Sequence, residues 1–186
     1  DEVETVKKEL KELADEVKER NERSIRDSER LLEEVKRRNE KSIRDLERLV
    51  EELEDVLRKR GSEDEDVKRK VEEVDRRIDK LAEDDKRINE KVLKENSDLV
   101  KRDEDINRKI LEDVRRLVEK VRREIGDEKK VKEVTDEVKK VLDEIRELDK
   151  RSRDAVRRTN EEIKRLDKES KDVVDRVKKK VEDAVR

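Results

Sequence analysis

Cys, His, Met, Pro, Phe, Trp and Tyr are all absent from this sequence of 186 residues, which has only two glycines. Without Cys there is no disulfide, reactive thiolate or redox pair. Without His, the Glu-x-x-His pairs that build metal sites inside helix bundles cannot form. Nor is there an imidazole or thiol for nucleophilic catalysis. Both glycines read as helix stops, so neither belongs to a phosphate-cradling loop. No apolar run approaches the ~20 residues that span a membrane. No signal peptide is expected, and the lack of an initial Met reads as a sign of a trimmed or processed chain. Natural chains of this length seldom lack all seven types. Any core must come from Val, Leu, Ile and a few Ala, which have well-defined rotamers and no polar side-chain atoms.

What is present is charge. Asp, Glu, Lys and Arg make up 62% of the chain, hydrophobic residues 28%, and the net charge is only −3. Low hydrophobicity with many charges commonly means disorder. Here the apolar residues are periodic instead. A seam of two residues in seven needs about 29% apolar positions, close to what the chain supplies. Charge-rich sequences with 3.5–3.6 periodicity read as coiled coils or long-helix bundles.

Residues 21–50 set the pattern. NERSIRDSERLLEEVKRR is followed by NEKSIRDLERLV, so Asn21 returns as Asn39, Ser24 as Ser42, Ile25 as Ile43 and Leu31 as Leu49. Eighteen residues are five turns at about 3.6 residues per turn. Such a repeat returns to one face of a straight helix, whereas a strict seven-residue repeat imposes a supercoil. The shift recurs downstream: Leu81 to Leu99, Asp85 to Asp103, Asn89 to Asn107, Leu148 to Leu166, Ser152 to Ser170 and Val156 to Val174.

Three helices are predicted, at about 1–60, 63–125 and 128–186. In each, the inward residues advance by threes and fours, the helical signature. Asp1, Glu2 and Glu4 suit a helix N-terminus, and Arg58, Lys59 and Arg60 a C-terminus. Gly61 fits a left-handed C-cap. Ser62 with Glu65 reads as a capping box opening the second helix. Gly126 closes that helix and Asp127 caps the third. Two tight turns between equal helices give an all-α fold: a long, nearly straight, antiparallel up-down-up three-helix bundle, a single domain over residues 1–186.

Polar residues interrupt the seam at three heights. One group is Asn21, Ser24, Asp103, Asn107 and Ser152. Its near copy is Asn39, Ser42, Asp85, Asn89 and Ser170. Between them come Ser28, Asn96, Thr159 and Asn160. All three helices contribute at each height, which argues for buried hydrogen-bond layers. A satisfied buried bond nets only about 0.5–1.5 kcal/mol, while an orphaned group costs about 1–3. The use of such layers is specificity, because a slipped register strands the partners. On this reading Asn21→Ala costs roughly 1–3 kcal/mol through its unpaired partners. The bland alternative puts the polar residues on a wet edge of the seam, most readily Asn89, Asn107 and Asn160.

No catalytic, metal or cofactor constellation emerges. The two seam aspartates, ~27 Å apart along a straight helix, cannot share an ion, and no cofactor is expected. Lys and Arg alternate with Asp and Glu along every helix, so there is no basic face for nucleic acid. The run Lys178-Lys179-Lys180 reads as complementing a helix C-terminus. Membrane binding would need apolar surface that the pattern does not provide.

With its eighteen-residue repeat, its Gly61-Ser62 and Gly126-Asp127 turns, its Asn/Ser/Asp layers and its charged surface, the whole chain resembles de novo designed helical bundles carrying buried hydrogen-bond networks. The resemblance implies an engineered scaffold, and a seam about two-sevenths wide, enough for three helices to bury one another and little else, points to a monomer without ligand. The alternative is a designed interaction module: a homo-oligomer, a component of a heteromer, or a switch in which one helix is displaced. Localisation is left open.

Overall fold

The computed structural model of the protein describes residues 2–185. Asp1 and Arg186, the expected ends of the first and third helices, lie outside the described residues. Three antiparallel helices pack against one another: α1 (Glu2–Arg60), α2 (Glu65–Glu124) and α3 (Glu128–Val185). There is no strand among the described residues. The fold is an all-α three-helix bundle.

The helix ends follow the macrodipole. Glu2 and Glu4 open α1, while Arg58, Lys59 and Arg60 close it. Glu65 and Asp66 open α2, and Arg122 and Arg123 close it. Each such charge stabilises an exposed helix end by about 0.3–1 kcal/mol. α3 departs from this rule, with no basic residue in its last turn. The Lys178–Lys180 run sits further back, and Lys178 pairs instead with Asp79 of α2.

The first turn differs from its expected form. Gly61 is left-handed (φ 82°) and its N–H donates to Leu57 O at 2.9 Å, as a C-cap should. The capping box at Ser62, however, does not form. α2 begins later, with Asp64 as its cap: Asp64 Oδ1 accepts from the Asp66 N–H at 2.8 Å, and Asp64 O from the Lys68 N–H at 3.1 Å. Asp at this position meets the helix dipole with a full negative charge, which the Ser62 hydroxyl cannot offer. Gly61–Asp64 thus forms a four-residue connection. At the second turn Asp127 caps α3, accepting from the Lys129 N–H at 3.0 Å. Gly126 there has no left-handed backbone, and a Cβ on it would meet nothing within 4 Å.

The chain divides into two compact units, each drawing one stretch from every helix. Unit 1 is Asp1–Glu29 with Glu95–Arg158; unit 2 is Arg30–Lys94 with Thr159–Arg186. Unit 1 has one apolar cluster, centred on Leu10, Val17, Val114, Val134 and Ile145, all at most 2% exposed. Unit 2 has two. Leu46, Leu53, Val74, Ile78 and Val181 anchor one. Val35, Val92, Ile163 and Leu166 form the other. Burying a Val, Leu or Ile contributes roughly 1.5–3 kcal/mol. No large hydrophobic residue is exposed among the described residues.

Asp64→Ala should lower stability by about 0.5–2 kcal/mol through the lost cap, with Ser62→Ala near neutral in the same urea titration. Gly61→Ala should cost about 1–2 kcal/mol for its left-handed backbone. Gly126→Ala should be neutral or stabilising, by up to about 1 kcal/mol.

Candidate functional site

In unit 2, polar seam residues separate the two apolar clusters. Ser42 of α1 donates from Oγ to Asp85 Oδ1 of α2 at 2.9 Å. Ser170 of α3 donates to the other oxygen, Asp85 Oδ2, at 3.3 Å. One carboxylate therefore holds all three helices. Ser42 and Ser170 are buried and Asp85 is half-buried. Asn39 and Asn89 are buried beside this triad but bond elsewhere. Asn39 Nδ2 reaches the Leu166 carbonyl at 3.4 Å, and Asn89 Nδ2 donates to Asp167 Oδ1 at 2.9 Å.

Unit 1 repeats the arrangement eighteen residues away, with looser geometry. Ser152 Oγ donates to Asp103 Oδ2 at 3.5 Å, the limit of a hydrogen bond. The Ser24 hydroxyl lies against the Asp103 carboxylate and favours its charged form, yet falls outside hydrogen-bond geometry. Asn107 Nδ2 donates to Asp149 Oδ1 at 3.0 Å, as Asn89 does to Asp167. Asn21 turns its amide to its own helix, donating to the Val17 carbonyl at 3.0 Å. Asn21, Ser24, Asp103, Asn107 and Ser152 are all buried.

The residues expected at the middle height fall in different units. Ser28 and Asn96 are fully buried in unit 1, and Thr159 is buried in unit 2. None of them, nor Asn160, is without a partner.

Asp149 and Asp167 were missed by the sequence reading. Each accepts from a seam asparagine and pairs with a cation four residues on, Asp149 with Arg153 and Asp167 with Lys171, both at 3.1 Å. Arg153 also reaches Glu104 of α2 at 3.0 Å. The signal was there, since Asp149 recurs as Asp167 eighteen residues later. It was hidden among many aspartates because both stand just off the apolar stripe.

Desolvation raises the pKa of Asp85, opposed by the hydrogen bonds from Ser42 and Ser170 and by the charge of Arg38. Desolvation likewise raises that of Asp103, opposed by Ser24, Arg102, Ser152 and Arg20. A folded-state pKa above the unfolded value, about 3.9 for Asp, means that the folded chain binds the proton more tightly. Each group's stabilising contribution is then complete below the unfolded pKa and is lost as pH rises through the folded one.

The chemistry available is that of hydroxyls, amides and isolated carboxyls. Among the described residues, no group of three or more His, Cys, Asp or Glu is placed to hold a metal ion. No described helix is long and apolar enough to cross a membrane.

Fold and layers together define an all-α three-helix bundle with polar side chains and hydrogen bonds in its seam. It is similar to a solved structure described as a computationally designed three helix bundle, with a TM-score of 0.64 and 18% sequence identity over 99% of this chain and 87% of that one. At that identity the likeness is one of fold. No protein-family model and no curated protein matches the chain.

The geometry reverses the expectation for Asn21. Its amide bonds within α1 and its Oδ1 has no partner, so truncating it strands no group on another helix. Ser42→Ala, which leaves Asp85 Oδ1 unpaired, should cost about 1–3 kcal/mol. Asn21→Ala should cost clearly less in the same denaturant series.

Proposed function

We propose that the chain is an engineered structural scaffold without natural biochemical activity, in which the seam polar residues specify register. The observation that carries this reading is the carboxylate shared by Ser42 of α1 and Ser170 of α3, with the bond from Ser152 to Asp103 as its looser counterpart. Sliding any one helix past the others would separate hydroxyl from carboxylate. The cost of the stranded groups then opposes the wrong register. The absence of exposed large hydrophobic residues among the described residues and the fold likeness to a computationally designed bundle support the same reading. On this view residues 1–186 form a single bundle that works as a monomer, with no enzymatic role, nucleic acid or membrane partner.

Light scattering tests the proposal, with concentration taken from refractive index because the chain has no Trp or Tyr. The expected mass is 22.5 kDa. A clean multiple would transfer the layers to contacts between chains and make the protein an interaction module. Replacing Asn21, Ser24, Asp103 and Ser152 together with Val or Leu should keep or raise stability, since buried polar groups are often outdone by packed apolar ones. The same variant should lose register specificity, seen as heterogeneous backbone resonances or mixed masses.

A further inference from the structure

The two aspartates that join the helices are not equivalent. Both oxygens of Asp85 accept a serine proton, and the carboxyl is half-buried. Asp103 is 3% exposed, and only its Oδ2 is engaged, at 3.5 Å. Its Oδ1 is buried without a partner, as are Ser24 Oγ and Asn21 Oδ1 on the same face of α1. An amide oxygen and a carboxylate oxygen are acceptors only. The one donor at hand, the Ser24 hydroxyl, falls outside hydrogen-bond geometry, so the ionised carboxylate keeps only the long bond from Ser152; a proton on Asp103 supplies the donor that the acceptors lack. We propose that Asp103 folds as a neutral acid over a mildly acidic range in which Asp85 is already a carboxylate, its Oδ1–H donating to the acceptors of α1.

The surrounding charges leave room for this. From α1, Arg20 faces the group, but Arg20 is tied to Glu16 at 3.0 Å. On α2, Arg102 is exposed and screened by water, and Glu104 is held by Arg153. From α3, Asp149 is taken up by Asn107 and Arg153. Hydrogen bonding to the charged form is what normally keeps a buried carboxylate ionised. Asp85 has two such bonds, and Asp103 has one long one. Ionisation of Asp103 then puts an under-solvated charge into unit 1, while the matching layer of unit 2 is unaffected. The unit 1 layer becomes a pH-dependent fastening.

Carboxyl carbon NMR of the intact chain reads each aspartate separately. The expected result is a titration midpoint for Asp103 above that for Asp85. A midpoint at or below that of Asp85 would overturn the proposal, because it would mean that Ser24 rotates to donate and the two sites are alike. Asp103→Asn and Asp85→Asn supply a second readout, since an amide mimics the neutral acid. Above the Asp103 midpoint, Asp103→Asn should unfold at higher urea than the parent chain, and below it at the same urea. At neutral pH Asp85→Asn should raise the urea midpoint by less than Asp103→Asn does. An Asp103→Asn chain less stable than the parent at every pH would also sink the idea.

Discussion

The structure depends on matching donors to acceptors inside a seam too narrow to admit much else. With 28% hydrophobic residues the chain can bury one stripe per helix and little more. Apolar contact alone is non-directional, and Val, Leu and Ile tolerate exchange at similar volume. A seam made only of these residues would accept several registers at similar cost. The hydroxyls of Ser42 and Ser170 meet the two oxygens of Asp85 at 2.9 and 3.3 Å. A hydrogen bond requires its atoms within a few tenths of an ångström, where an apolar contact requires only proximity.

Much of this arrangement could be read directly from the sequence. The threes-and-fours spacing dictates helices, and Gly61 and Gly126 fall at their breaks. The antiparallel turn at Gly61 sets Ser24 level with Asp103 and Ser42 level with Asp85, and the eighteen-residue shift makes the two pairings copies of each other. Other features could not be read, for identifiable reasons. Ser62 and Asp64 both stand before a helical pattern with suitable capping side chains. Which one caps depends on how far the chain travels after Gly61, a property of the turn and not of either residue. Asn21 and Asn39 occupy equivalent positions in the repeat, yet one bonds to its own helix and the other across to Leu166. An amide has several partners within reach, and rotamer choice is settled by packing. Asp149 and Asp167 escaped notice because a polar residue beside the seam looks like any surface charge until an asparagine points at it.

The charged exterior plays a subordinate part. Most ion pairs lie three or four residues apart on one helix, such as Arg20 with Glu16 and Arg48 with Asp45. Pairs of this type are worth about 0.3–0.5 kcal/mol each and weaken with salt. They favour helix over coil without selecting a partner helix. Contacts that do link helices, such as Arg153 with Glu104 and Lys70 with Glu52, lie at the margins of the seam.

The eighteen-residue repeat also makes the chain extensible. Moving from Asp85 to Asp103 advances along α2, while moving from Ser42 to Ser24 and from Ser170 to Ser152 retreats along α1 and α3. The three displacements are equal and their directions agree with the antiparallel fold. The chain therefore has a natural unit of growth: one period added to every helix at once inserts a complete rung and leaves the neighbouring rungs paired. A period added to one helix alone strands its partners. Length in this architecture comes in whole steps of five turns, in the way that a ladder is lengthened only by full rungs on all its rails.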